Sequence, residues 1–182
     1  MIIIIVGRSG AGKSTFVQAM GLSPECHCVL SKPMVEEVGK RGLEITHDNI
    51  HSLAKEWYGE NRMWQVEYVL AELEKRPKQF LVLDGLRYWF ELEHLRQQFP
   101  DLFVVKITST PDDRFERLKV RGKIPLGSKE EFERLEKDES VDMGLEQILA
   151  AADVSVENTG TLEQLREKAR RFSFLLGPFM TD

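Results

Sequence analysis

Apolar residues along this chain gather in short, strand-like runs, separated by longer stretches in which they recur at helical spacing. The runs are Ile2 to Val6, His27 to Leu30, Phe80 to Leu83, Leu102 to Thr108 and Val154 to Val156. A run without polar alternation, such as Phe80-Leu81-Val82-Leu83, suits a strand covered on both faces, and strands alternating with helices predict a parallel α/β sheet. In such a sheet the loops at the C-terminal ends of the strands form the ligand crevice. Two helix starts are spelled out. Thr110-Pro111-Asp112-Asp113 offers a cap, a first-turn proline and acids near the N-terminus, and Thr161-Leu162-Glu163-Gln164 reads as a capping box. The last helix shows Leu162, Leu165, Ala169 and Phe172 on one stripe and is predicted to stop near Gly177-Pro178.

Two segments break the strand-helix rhythm. Residues from about 33 to 76 read as several helices carrying Trp57, Tyr58, Trp64 and Tyr68, and Gly122 to Ser128 is a loop of glycine, proline and lysine between charged helices. The spacings of seven and four between Trp57, Trp64 and Tyr68 mark these rings as core rather than stacking platform. With 182 residues and 42% hydrophobic content, the chain fits one domain, 1–182, with inserts and no second domain. No repeat or low-complexity linker divides it.

Candidate chemistry begins where the first strand ends. Gly7 to Ser14 read G-R-S-G-A-G-K-S, a complete G-x-x-x-x-G-K-S phosphate-binding loop between an isoleucine-rich run and a helix with Phe16, Val17 and Met20 on its apolar face. Glycines let the backbone turn tightly enough to aim several N–H groups at one anion. The nucleotide-binding set is Gly7, Arg8, Ser9, Gly10, Ala11, Gly12, Lys13, Ser14 and Thr15. Lys13 is expected on the β and γ phosphates, Ser14 on Mg²⁺, and the helix that starts near Lys13 adds the positive end of its dipole.

Asp84, closing the run Phe80 to Leu83, has the position of a carboxylate that holds Mg²⁺, although a strand-end aspartate also caps turns. Farther on, Arg114, Arg117 and Arg121 lie in R-F-E-R-L-K-V-R-G-K, where i, i+3 and i, i+4 spacings put neighbours on a shared helix face. Glu116 and Asp113 would pair with them on an ordinary solvated helix. Placed before a lid-like loop, Arg117 and Arg121 are also positioned to neutralise a transferring phosphoryl group.

Together these motifs resemble the P-loop kinases of the adenylate-kinase and dephospho-coenzyme A kinase group. The likeness runs through Gly7 to Ser14, Arg41-Gly42-Leu43, Asp84-Gly85-Leu86-Arg87, the run ending Arg121-Gly122, and Ala152-Asp153 through Asn158-Thr159-Gly160-Thr161. It implies a P-loop NTPase three-layer sandwich with a five-stranded parallel sheet, a helical acceptor-binding insert at about 33–76 and a lid at about 122–138. It also implies that Arg87 grips the acceptor's phosphate and that Asn158 and Gly160 border the donor's base. One departure stands out. Relatives of this kind carry a D-V-I-R-like segment before R-G-L, whereas here the stretch is Lys32-Pro33-Met34-Val35-Glu36-Glu37, which leaves Lys32 as the residue to meet an acceptor phosphate.

The formal net charge of −5 argues against a general nucleic-acid or anionic-membrane surface and favours a small-molecule phosphate acceptor. No apolar run reaches the length of a membrane span or a secretory segment, so a cytoplasmic monomer or homodimer is expected. Cys26-His27-Cys28 lacks a second ligand pair and reads as reduced thiols flanking a strand. His47 and His51, at i, i+4 without an H-E-x-x-H pattern, read as surface or substrate-pocket residues. The reading favoured is an ATP- and Mg²⁺-dependent phosphotransferase acting on a nucleotide or related metabolite, with Lys13, Asp84, Arg117 and Arg121 as its catalytic set. A dephospho-CoA-kinase-like enzyme and a nucleotide-dependent switch without a small-molecule acceptor remain open beside it. No N-K-x-D element marks the chain as a guanine-nucleotide binder.

Overall fold

The computed structural model describes residues 1–75, 80–120, 127–142 and 144–180. All five residues of β1 (Ile2–Val6) are buried, which is possible only for a strand paired on both edges and covered on both faces. It pairs in parallel with β3 (Leu81–Asp84) on one side and β4 (Phe103–Thr108) on the other. Adding β2 (His27–Val29) and β5 (Val154–Glu157) gives a five-stranded parallel sheet in the order β2-β3-β1-β4-β5. The sheet and its flanking helices have the architecture of P-loop NTPases of the kinase type.

Alternate residues of the strands serve opposite layers. On one face Ile2, Ile4 and Val6, with Leu81, Leu83 and Val104, meet α4 (Trp64–Glu74), α5 (Trp89–Gln98) and α8 (Leu145–Ala150) through Val66, Val69, Leu92, Leu95, Leu145 and Ile148. On the other, Ile3, Ile5, Val82, Val105 and Ile107 meet α1 (Lys13–Ala19) and α9 (Leu162–Met180) through Phe16, Val17, Leu165 and Ala169.

Two smaller apolar clusters support what stands above the sheet. Met34 and Val38 of α2 (Lys32–Lys40) pack with Leu53 and Trp57 of α3 (His47–Glu60) and with Trp64, the two indoles meeting edge to face at 4.8 Å. These rings lie in a core, as their spacing predicts. Leu118 of α6 (Pro111–Lys119) packs with Phe132 and Leu135 of α7 (Lys129–Lys137).

Local chemistry accounts for the helix ends. Thr110 Oγ1 accepts from the Asp113 amide at 3.1 Å, and Thr161 and Gln164 exchange the two hydrogen bonds of a capping box. The C-terminal helix differs from expectation, since α9 passes Gly177-Pro178 and runs to Met180. A proline near a helix end removes one backbone donor and crowds one carbonyl. Leu176 just before it is buried against the sheet layer and keeps this last stretch docked. Phe174 and Leu175 on the same helix are exposed. Among the described residues, no helix is long and apolar enough to cross a membrane.

Leu83 lies fully buried at the centre of the sheet, so Leu83→Ala should lower unfolding free energy by about 3 kcal/mol. Denaturant titration with an unchanged m-value checks this, and a loss under about 1 kcal/mol would contradict the packing described.

Candidate active site

The loop from Gly7 to Gly12 leaves the C-terminal end of β1 and enters α1 at Lys13. Its glycines are required by packing as well as by direction. Gly10 has φ +80°, and a β-carbon there would lie 2.7 Å from the Arg114 carbonyl oxygen. Gly12, at φ +102°, lies so close to Asn158 that a β-carbon would overlap its side-chain amide. The loop is thus pressed against α6 on one side and the segment after β5 on the other, and only glycine fits both contacts.

Three side chains brace it in that position. Asn158 is buried and donates through Nδ2 to the Ala11 carbonyl at 2.8 Å. Arg117 donates to Ser109 Oγ at 2.8 Å, the Asn158 carbonyl at 3.0 Å and the Gly10 carbonyl at 3.4 Å. Arg114, almost wholly buried, makes a two-pronged bond to Glu136 of α7 at 2.5 and 2.7 Å and reaches the Ser9 carbonyl at 3.4 Å. Arg114 therefore pairs across elements, not with Asp113 or Glu116 on its own helix. Arg117 and Asn158, expected at the phosphoryl group and the base, both hold loop carbonyls.

The chemical centre lies at the start of α1. Lys13 Nζ donates to the carbonyls of Gly7 at 2.7 Å and Arg8 at 3.2 Å, curling back over the loop. Ser14 Oγ donates to Asp84 Oδ2 at 3.3 Å, and His27 Nε2 stands 4.0 Å from the same oxygen. This pairing of a loop hydroxyl with a strand-end carboxylate is the hard-oxygen donor set that suits Mg²⁺, which keeps its remaining positions for water and phosphate oxygens. Nothing in the spacing of Cys26-His27-Cys28 pointed to Asp84. The parallel pairing of β2 with β3 brings His27 beside it, with Cys26 and Cys28 buried as free thiols.

A further carboxylate was invisible to motif reading. Glu139, in a π-helical turn Asp138–Asp142 after α7, is 2% exposed and reaches into the loop. It accepts from Ser9 Oγ at 2.6 Å and from the Ser9 amide at 3.2 Å, and lies 3.6 Å from Arg87. Burial pushes its carboxyl pKa up, but the charges of Arg87 and Lys13 and the Ser9 hydrogen bonds outweigh that and hold it below the ordinary value. Arg8 extends the network, donating to Ser140 Oγ at 2.8 Å and to the Glu146 carboxylate.

Behind Arg87, Glu91 is completely buried and fixes the turn that carries it. Its carboxylate accepts from Tyr58 Oη at 2.6 Å and from the Tyr88 amide at 3.3 Å, closing a capping box at the head of α5. Burial raises its pKa to about 7, against the pull of those hydrogen bonds. The same burial, with the neighbouring Glu91 charge, drives the Tyr58 hydroxyl far above its ordinary value.

A cleft of about 500 Å³ separates the 44–51 segment from α7. Thr46, His47, His51, Arg134 and Asp138 line it, and His51 Nδ1 is 3.9 Å from Asp138. The histidines thus fall in a pocket, one of the two settings their spacing allowed. Lys32, by contrast, points to solvent at the start of α2 and pairs with Glu36 at 3.8 Å, outside this cluster. Gly160 is exposed beyond Asn158. Arg121, with residues 122–126 of the expected lid, lies outside the described residues.

Comparison with known proteins follows this geometry. Residues 3–143 match the family model described as AAA domain. The chain belongs to that family. It is 32% identical to a UPF0200 protein of Thermococcus gammatolerans, over 93% of this chain and 92% of that one. Among solved structures it is similar to TT1252 from Thermus thermophilus, with a TM-score of 0.61, 18% identity and coverage of 100% and 98%. It is also similar to shikimate kinase from Bacteroides thetaiotaomicron, with a TM-score of 0.60, 16% identity and coverage of 97% and 98%. At these identities the structural likeness shows the fold alone.

The buried Glu91 generates a pH prediction. Because the folded protein keeps a proton that the unfolded chain releases, stability contributed by this group falls as pH rises from about 4.5 to about 7. The drop is on the order of 3 kcal/mol. Denaturant curves across that interval should show a flatter profile for Glu91→Gln than for the parent, and an unaltered slope would contradict the assignment.

Proposed function

We propose that this chain is an ATP-dependent, Mg²⁺-using phosphotransferase that passes the γ-phosphoryl group to a small metabolite, nucleoside monophosphates first among them. The observation that carries this reading is the grouping of Lys13, Ser14 and Asp84 at the mouth of a braced glycine loop. The adenylate-kinase-like motif at Asp84 to Arg87 supports the choice of acceptor class. The buried free thiols agree with a reducing, cytoplasmic setting.

In this reading the loop amides and Lys13 hold the triphosphate, and Ser14 and Asp84 hold the metal, which spreads and neutralises charge on the phosphate oxygens. Lys13 would exchange its loop carbonyls for phosphate oxygens. Arg87 and Arg121 would neutralise charge where donor and acceptor meet, Arg117 keeps the loop rigid, and the cleft beside His47 and His51 orients the acceptor. Positioning and electrostatics supply most of the rate in phosphoryl transfer, so no covalent step on the protein is needed.

The nucleotide-switch reading stays attached to one observation, the replacement of the expected acceptor Asp and Arg by the stretch Lys32 to Glu37. The two are separated by measuring ADP release from ATP and Mg²⁺ with a panel of nucleoside monophosphates, deoxynucleotides, nucleosides and dephospho-CoA against a no-acceptor control. Stimulation by one acceptor is expected. Slow hydrolysis indifferent to every acceptor would favour the switch. Lys13→Ala should reduce either activity by at least about 100-fold without unfolding the protein.

A further inference from the structure

An N–H group, a hydroxyl, an ammonium and a guanidinium directed at one point make a receptor for an oxyanion. Here that receptor already holds one. The Glu139 carboxylate takes both Ser9 donors, stands 3.6 Å from Arg87 and feels the charge of Lys13. Ser9 is the second residue after Gly7 in the phosphate-binding motif, and both its donors meet the carboxylate, so the loop presents them to an anion. A carboxylate fully withdrawn from water is held only if it is paired and hydrogen-bonded, and the four groups named supply this. The turn that delivers Glu139 is fastened separately, since Arg8 bonds Ser140 within it and Glu146 just beyond.

We propose that Glu139 is a tethered anion seated in the place of the terminal phosphoryl group, formed by Ser9, Arg87 and Lys13, and that a nucleoside triphosphate must expel it whereas a diphosphate need not. This rests on the nucleotide-binding reading above and adds to it a device that sets the preference between triphosphate and diphosphate. Two anions cannot share the seat, because like charges a few ångströms apart in a buried site repel strongly. The triphosphate therefore binds only the fraction of molecules in which Glu139 has left, and its apparent affinity is lowered by that fraction. The neighbouring Asp138 lines the cleft beside His51, so the turn that releases Glu139 also borders the space assigned to the acceptor.

The test compares equilibrium binding of ADP and of a non-hydrolysable ATP analogue, each with Mg²⁺, to the parent protein and to Glu139→Gln. The amide keeps size and hydrogen bonding but removes the charge. The triphosphate analogue should bind about tenfold more tightly to the variant while ADP binding changes less than about twofold. Equal effects on both nucleotides, or weaker triphosphate binding, would overturn the proposal. A second measurement needs no variant. In the parent protein, amide hydrogen exchange over 138–142 should quicken on adding the triphosphate analogue and stay unchanged with ADP, and protection by the triphosphate would equally overturn it. If neither nucleotide bound the parent or the variant, the nucleotide-binding reading itself would fail, a result distinct from an unaltered ratio of the two affinities.

Discussion

Positive charge gathered over the C-terminal end of β1 is the constraint around which the upper half of this protein is arranged. Lys13, Arg8, Arg87 and Arg114 converge there with the loop's N–H groups, and the described structure balances them with Glu139, Glu136 and Glu146 from α7, the turn after it and α8. Each of these acids comes from one stretch of about ten residues, Glu136 to Glu146, so a single segment satisfies most of the charge. Removing one partner of a buried pair leaves the other stranded, which commonly costs about 3–5 kcal/mol. The segment over the loop is therefore held by electrostatics above a sheet held by apolar packing.

That division explains what sequence reading reached and what it did not. The sheet was readable because its three central strands are short, mostly apolar runs, and a parallel sheet covered on both faces leaves that mark directly on the chain. The glycine loop was readable because backbone geometry demands glycine at fixed spacing. Asp84 could be placed from its position at the end of a strand, and its hydrogen bond with Ser14 follows from β1 and β3 being neighbours. Trp57 and Trp64 were assigned to a core by their spacing, and they pack in one.

Glu139 was not readable, for a physical reason. It lies in D-E-S-V-D, within a highly charged stretch where an acid is ordinarily a solvated side chain, and no local pattern says that one of several will turn inward. Arg114 shows the same limit. Its i, i+3 relation to Arg117 put them on one helix face, but the structure sends Arg114 to Glu136 and Arg117 to the carbonyls around Asn158. Sequence spacing fixes which residues share a face, and only packing decides which partner each finds.

The braces also change how the arginines should be understood. An arginine waiting to stabilise a transferring phosphoryl group and an arginine holding the phosphate-binding loop look alike in sequence, because both lie just beyond the C-terminal end of a sheet strand. They differ in what their donors do. Arg117 commits its bonds to two carbonyls and a hydroxyl that belong to the scaffold, whereas Arg87 faces a carboxylate that is itself bound to the loop. If Arg117 turned away, the carbonyls of Gly10 and Asn158 would each lose a donor, whereas the partner of Arg87 is a side-chain carboxylate. Under the proposed function, the arginine that meets phosphate is accordingly Arg87, held on a turn that Glu91 fixes from behind. Arg117 contributes by keeping Gly10 where the loop needs it.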